Sequence, residues 1–290
     1  MTRSIDYNAS KGALYHPEHA DTLFNCRFDY SVEQLCVECS RLAYIRFETG
    51  EQEMSRLSTA LVCAGFQQYE TFLDAQSDSQ AFAAAHHKAE LVLVAFRGTQ
   101  GDKITDLATD LRASVGPWTE KGGMVHDGFA RAFRGIRGQI EQWLTNQAYP
   151  TLILTGHSLG AALATLAASI WNPAQLVTFG SPRVGNADFA STVTGCSVSR
   201  FVNCCDVVTH LAPESEWYTH AGERRYIDRE GSLAGCTSNE DAEEDQLVAR
   251  AAYVRDFAWQ VVAVPVRDLA DHAPINYARA FWLAGMPGES

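Results

Sequence analysis

Ser158 stands in Gly156-His157-Ser158-Leu159-Gly160, after the apolar run Thr151-Leu152-Ile153-Leu154-Thr155 and before an alanine-rich helical stretch. That order predicts a strand, a sharp turn and a helix, the setting in which a serine hydroxyl becomes an exposed nucleophile. Glycines two residues either side of the serine leave room for the turn. The N–H of Leu159, at the start of the following helix, points at any oxyanion formed beside Ser158.

A serine hydroxyl needs a histidine base, and the histidine needs a carboxylate to fix its tautomer and stabilise its cation. In the strand-turn-helix type the chain order is Ser, then Asp or Glu, then His. Of nine histidines this leaves His210, His220 and His272. His272 lies in a late polar stretch, Asp271 to Tyr277, able to fold over the strand ends. His210 is only four residues from Asp206, and His220 precedes Ala-Gly and fits a turn brace. His157, beside the serine, is expected to support the turn. Asp206 follows the strand-like Arg200-Phe201-Val202-Asn203-Cys204-Cys205 and suits the acid, with Asp188, Asp228 and Asp268 as alternatives. Asp271 adjoins His272 and would need unusual geometry to bond it.

The second oxyanion donor belongs on the loop after an earlier central strand. Phe96-Arg97-Gly98-Thr99 is that loop, and Thr99 offers an N–H and a hydroxyl. Arg97 reads as an ion pair or carbonyl clamp, since an ester has no charge for it to bind.

The remaining elements follow from pattern. Ser31 and Gln34 form a capping box for a helix carrying Leu35, Cys39, Leu42 and Ile45. A second helix runs from Glu51 to Val62, closing an N-terminal helical segment of about 31–62. Phe66 to Phe72, Gln80 to Ala84, Glu90 to Phe96, Gln175 to Phe179, Arg200 to Asn203 and Glu223 to Ile227 read as strands, the last an edge strand. Gly128 to Leu144 and Leu159 to Ile170 read as helices, the first amphipathic and the second small and apolar. Leu247 to Val261 is expected to be the final helix and Asp268 to Tyr277 a loop. Alternating strands and helices, with no repeat and no glycine- or serine-rich linker, favour one mostly parallel central sheet with helices on both faces, in a single domain over residues 1–290. Substrate then binds beyond the carboxyl ends of the strands.

The 290 residues are 46% hydrophobic and 20% charged, with a net charge of −12. No basic patch stands out to neutralise phosphates, so nucleic acid is not an expected partner. No apolar run reaches the ~20 residues of a transmembrane helix. The first residues have no secretory-signal pattern, leaving the cytoplasm, another export route or prior processing open. Cys36-Val37-Glu38-Cys39 has ligand or redox spacing, but no second pair follows, so a packed or partly exposed thiol pair is expected rather than zinc. Cys204 and Cys205 sit in the strand-like run and should point to opposite faces. The acidic run Asn239 to Asp245 lacks calcium-loop spacing and reads as a solvated loop or helix start. No metal or cofactor is expected.

Taken in order, Phe96-Arg97-Gly98-Thr99, Val125 to Phe129, Gly156 to Gly160, Phe179 to Gly185, Asn203 to Pro213 and Asp271-His272 resemble the class 3 lipases, the fungal triacylglycerol lipases and their bacterial relatives. The resemblance runs from about Leu91 to Tyr277 and is weak before that. It implies an α/β-hydrolase fold with Ser158 as nucleophile, Asp206 as acid, His272 as base and Thr99 as oxyanion residue, and with His126, Arg183 and His220 as framework. It also implies a mobile lid at about 101–112, where Ile104, Leu107 and Leu111 form one apolar stripe that covers the acyl groove in water and meets lipid when open. Ala161, where many relatives carry glycine, and Asp102, Asp106 and Asp110 in the lid stretch depart from the pattern.

The expected activity is hydrolysis of acylglycerol esters through an acyl-enzyme, with lipid or a small ester as substrate and a transient contact with a lipid interface. The competing readings are a phospholipase, a feruloyl-type esterase, and a noncatalytic lipid- or protein-binding module.

Overall fold

A computed structural model describes residues 5–99, 115–147, 151–233 and 238–282. Its centre is a seven-stranded sheet of β1 (Gln68–Asp74), β2 (Ser79–His86), β3 (Leu91–Phe96), β6 (Thr151–His157), β7 (Gln175–Phe179), β8 (Ser197–Asn203) and β9 (Glu223–Ile227), in that spatial order. The β1–β2 and β2–β3 pairs are antiparallel; from β3 to β9 every pair is parallel. A small separate ribbon joins β4 (Val115–Pro117) to β5 (Met124–His126).

Alternation along the strands divides two cores. In β3, Val94 and Phe96 face one side, and Leu91, Leu93 and Ala95 the other. The first side is covered by the helices Asp127–Leu144 and Leu159–Trp171, which place Phe129, Phe133, Ile136, Ile140, Leu163 and Leu166 against the sheet. The second is covered by Val32–Leu42 and Glu51–Cys63. Each large apolar side chain fully enclosed here contributes about 2 kcal/mol. The capping box at Ser31 and Gln34 opens the helix Val32–Leu42 as expected. Ser40 of that helix hydrogen-bonds Thr155 of β6 at 2.9 Å, which ties the helix to the strand before Ser158. Among the described residues no helix is long and apolar enough to cross a membrane.

The C-terminal part differs from the sequence reading. The helix expected over Leu247 to Val261 runs instead from Asn239 to Asp256. Ser238 and Asp241 form a capping box, so the acidic run is its first two turns, with Glu240 and Asp241 facing the positive helix end. It is not the last helix. The stretch read as a loop contains two short helices, Arg267–Ala270 and Pro274–Arg279, the second opened by Pro274 at its first position.

The cysteines also differ. Cys26 and Cys63 form a disulfide, a pairing that the sequence did not single out. Strand β8 ends at Asn203, and Cys204 adopts φ +30° in the turn that follows. The two adjacent thiols therefore do not alternate: their sulfurs lie 3.6 Å apart in a small buried cluster with Val202 and Tyr226. Cys36 and Cys39 are buried free thiols, both pushed up by burial.

Candidate active site

Strand β6 lies between β3 and β7 and delivers Ser158 at its carboxyl end. Ser158 has φ +59°, in the left-handed region that residues with a Cβ seldom occupy. Its N–H is held by the Phe179 carbonyl at 3.0 Å, and the helix Leu159–Trp171 starts at the next residue. The turn is tight enough to exclude side chains at both flanking glycines. A Cβ on Gly156 would run into the Gly160 carbonyl, and one on Gly160 into the Phe96 carbonyl oxygen.

His272 closes over this turn from the far end of the chain. Its Nε2 lies 2.9 Å from Ser158 Oγ, and its Nδ1 lies 3.0 and 2.9 Å from Oδ1 and Oδ2 of Asp206. All three side chains are fully buried. A carboxylate can only accept, so Nδ1 carries the proton and Nε2 is left to accept from the serine hydroxyl. Asp206 follows the turn at the end of β8, and its Oδ1 also accepts from the Val208 N–H at 2.9 Å.

Several groups position these residues, and sequence reasoning did not single out three of them. Tyr277 donates its hydroxyl to Asp206 Oδ2 at 2.6 Å. The one-turn helix at Pro274 brings it there, and a proline three residues before a tyrosine was the available signal. Tyr44 approaches His157 Nδ1 at 2.8 Å, while His157 Nε2 donates to the His272 carbonyl at 2.8 Å. Burial, then the neighbouring His272, keeps His157 well below the usual histidine range, so the ring is a neutral spacer beneath the base. Asn203 Nδ2 donates to the Asp271 carbonyl at 2.9 Å. Asp271 itself turns away from the His272 ring. Its carboxylate accepts from Tyr7, Arg267 and the Cys205 N–H.

On the oxyanion side, the register pairs Phe96 of β3 with Gly156 of β6. The loop Arg97–Thr99 therefore leaves the sheet beside the serine turn. Leu159 opens its helix, where the first N–H groups have no intrahelical acceptor. Thr99 is half-buried, and Arg97 clamps the Asp78 backbone carbonyl and carboxylate at 2.8 and 3.0 Å. The lid stretch 101–112, with Ile104, Leu107 and Leu111, lies outside the described residues.

The residues expected as framework, His126, Arg183 and His220, make the following contacts. His126 caps the helix Asp127–Leu144, accepting from the Phe129 N–H at 3.3 Å. Arg183 donates to the carbonyls of His210 and Ala212, each at 3.2 Å. His220 reaches the Thr209 carbonyl at 2.9 Å. The last two brace the loop that follows Asp206. The alternative acids Asp228 and Asp268 are occupied elsewhere, by a local turn and by Arg250 respectively. Asp188 lies in the short helix Ala187–Ala190.

Residues 93–216 match the family model described as Lipase (class 3). Over that segment the chain is similar to the class 3 lipase family. The matched segment holds Ser158 and Asp206 but stops short of His272, which the fold supplies. Among similar proteins, a lipase of Rhizopus niveus is 33% identical over 175 residues, covering 54% of this chain and 44% of the relative. A secreted mono- and diacylglycerol lipase A of Penicillium cyclopium is 30% identical over 174 residues, covering 56% of each. The chain thus spans about half the length of the curated relatives it matches. The solved lipase II from Rhizopus niveus superposes with a TM-score of 0.57 at 26% identity, over 71% of this chain and 83% of that one. The Rhizomucor miehei triacylglyceride lipase gives 0.55 at 25% identity, over 67% and 77%. The sheet order and its helical cover are those of an α/β-hydrolase.

Proposed function

We propose that this class 3 lipase homologue hydrolyses carboxylic esters of acylglycerols by way of an acyl-enzyme. The observation that supports it most is the unbroken hydrogen-bonded chain from Ser158 Oγ through both nitrogens of His272 to Asp206. Ser158 attacks the ester carbonyl while His272 takes its proton. The Leu159 N–H and Thr99 hold the oxyanion. His272, steadied by Asp206, then protonates the leaving alcohol. Water activated by the same ring releases the fatty acid. Acylglycerols are favoured as the substrate class because the names of relatives specify mono- and diacylglycerol and triacylglyceride lipases. Contact with a lipid surface is part of this proposal.

The test is an ester panel with the intact chain and Ser158→Ala. The expected result is turnover of tri-, di- or monoacylglycerol, a drop of roughly 10⁶-fold in kcat for Ser158→Ala, and fluorophosphonate labelling of Ser158 only in the intact chain. A folded Ser158→Ala protein with unchanged turnover would overturn the reading. An unreactive serine would favour a binding module. Turnover confined to phospholipids or aryl esters would keep the mechanism and replace the substrate class.

A further inference from the structure

Behind the turn that carries Asp206, a cavity of about 850 Å³ opens against β8 and β9. Four arginines line it, Arg183, Arg200, Arg224 and Arg225, against two glutamates, Glu214 and Glu243. We propose that this cavity binds a phosphate group. The proposal stands apart from ester hydrolysis and holds whatever the substrate of Ser158.

The arrangement of the arginines carries the inference. Arg200 and Arg224 are register partners on neighbouring parallel strands, so their side chains leave the same face of the sheet. Like charges directly opposite one another are unfavourable. Nothing described compensates Arg200: its Nε is buried without a hydrogen-bond partner, and so is Nε of Arg183. Arg183 spends its other donors on the carbonyls of His210 and Ala212 and, at 3.5 Å, on Glu214, whose side chain is 75% exposed. An anion seated among the arginines that line the cavity relieves that repulsion.

The local field agrees with this geometry. Burial, then Arg224 and Arg183, pushes Arg200 down to about 10. Burial, then Arg200 and Arg183, pushes His220 down to about 3. His210 is lowered by burial and by Arg183. The cavity is thus electropositive within a chain of net charge −12. Phosphate fits better than carboxylate. Guanidinium groups that line one cavity from two strands and a loop suit the several oxygens of a tetrahedral anion, whereas a carboxylate offers two coplanar oxygens; Arg224 also donates to the Ser238 carbonyl at 3.2 Å. The volume leaves room for an organic substituent on the phosphate. One wall is also the acid's own turn, since His220 donates to the Thr209 carbonyl and Thr209 Oγ1 donates to the Asp206 carbonyl at 2.8 Å.

The experiment titrates the intact chain with inorganic phosphate at constant ionic strength, with chloride as the reference, by calorimetry and by thermal melting. Saturable binding with a rise in Tm is expected, weakened ~10-fold or more in Arg200→Met. Without phosphate, Arg200→Met should melt no lower than the parent, because it removes one of two facing charges. If Arg200→Met does not fold, Arg224→Gln carries the same comparison. A second arm sediments the protein with phosphatidylcholine vesicles with and without phosphatidic acid. Retention that needs phosphatidic acid and is lost in the variant assigns a lipid headgroup; binding of inorganic phosphate alone assigns a soluble phosphate. Binding of neither, or equal binding by parent and variants, overturns the proposal.

Discussion

Tyr277 and His272 meet on one oxygen: the phenol hydroxyl and the imidazole Nδ1–H both reach Asp206 Oδ2, at 2.6 and 2.9 Å. The carboxylate is therefore fixed from two sides before any substrate arrives. Tyr277→Phe should lower kcat about 10-fold with little change in KM, since the lost donor orients the acid and does not touch the ester. Soluble nitrophenyl esters would measure this. A change confined to KM would place Tyr277 in substrate binding instead.

Asp206→Asn keeps the shape of the site but offers an N–H where the ring needs an acceptor. The histidine is then driven toward the wrong tautomer, and kcat is expected to fall ~10⁴-fold with an unchanged melting curve. An equal fall in an Asp268→Asn variant, whose parent pairs with Arg250 on the surface, would contradict this assignment.

Gly180 has φ +60°, and a Cβ there would sit 2.9 Å from Asp206 Oδ2 and 3.1 Å from the His272 ring. Gly180→Ala should cost about 1–2 kcal/mol of stability and a larger share of kcat, because the methyl displaces reacting groups. Gly156→Ala collides with backbone and should chiefly lose soluble, folded protein. Urea midpoints beside single-turnover rates separate the two effects.

Acid should destabilise the fold before the carboxylates titrate. His157 is held well below the usual range by burial and then by His272, and His220 is pushed down to about 3. Below about pH 6.5 the unfolded chain binds these protons and the folded one does not. Stability should then fall with pH by up to ~1.4 kcal/mol per unit for each such ring, less for the partly exposed His220. Urea midpoints from pH 7 to 5 would show the slope. His220→Gln should make it shallower, and an unchanged slope would count against the assignment.

The Cys26–Cys63 bridge closes a separation of 37 residues and staples the chain ahead of the helix Val32–Leu42 to the end of Glu51–Cys63. Its reduction should lower stability by ~2–4 kcal/mol. The comparison of urea midpoints with and without a thiol reductant checks it. Activity measured well below the midpoint should persist, since Ser158, Asp206 and His272 lie elsewhere.

What the sequence made legible depended on how local each signal was. The strands β3 and β7 and the turn around Ser158 are written in contiguous apolar runs bounded by glycine, and Ser31 with Gln34 marks a helix start within four residues. The helices Arg267–Ala270 and Pro274–Arg279 are too short to show a period, so the stretch holding His272 read as a loop. Tyr44 and Tyr277 act over separations of 113 and 71 residues, and no spacing announces such partners. The register of Arg200 against Arg224 likewise exists only once β8 and β9 pair. Cysteine connectivity cannot be read from positions alone, which is why Cys26 and Cys63 were not paired.

The start of the described chain grips the stretch that holds His272. Tyr7 donates to Asp271, and Asn8 and Asn276 exchange hydrogen bonds, across separations of 264 and 268 residues. During synthesis Tyr7 and Asn8 can therefore meet these partners only after residues 271–276 have left the ribosome. A nascent chain halted before residue 272 would hold its serine turn and Asp206 with no imidazole between them. The contact of His272 with Ser158 and Asp206 therefore forms only after translation has passed that point.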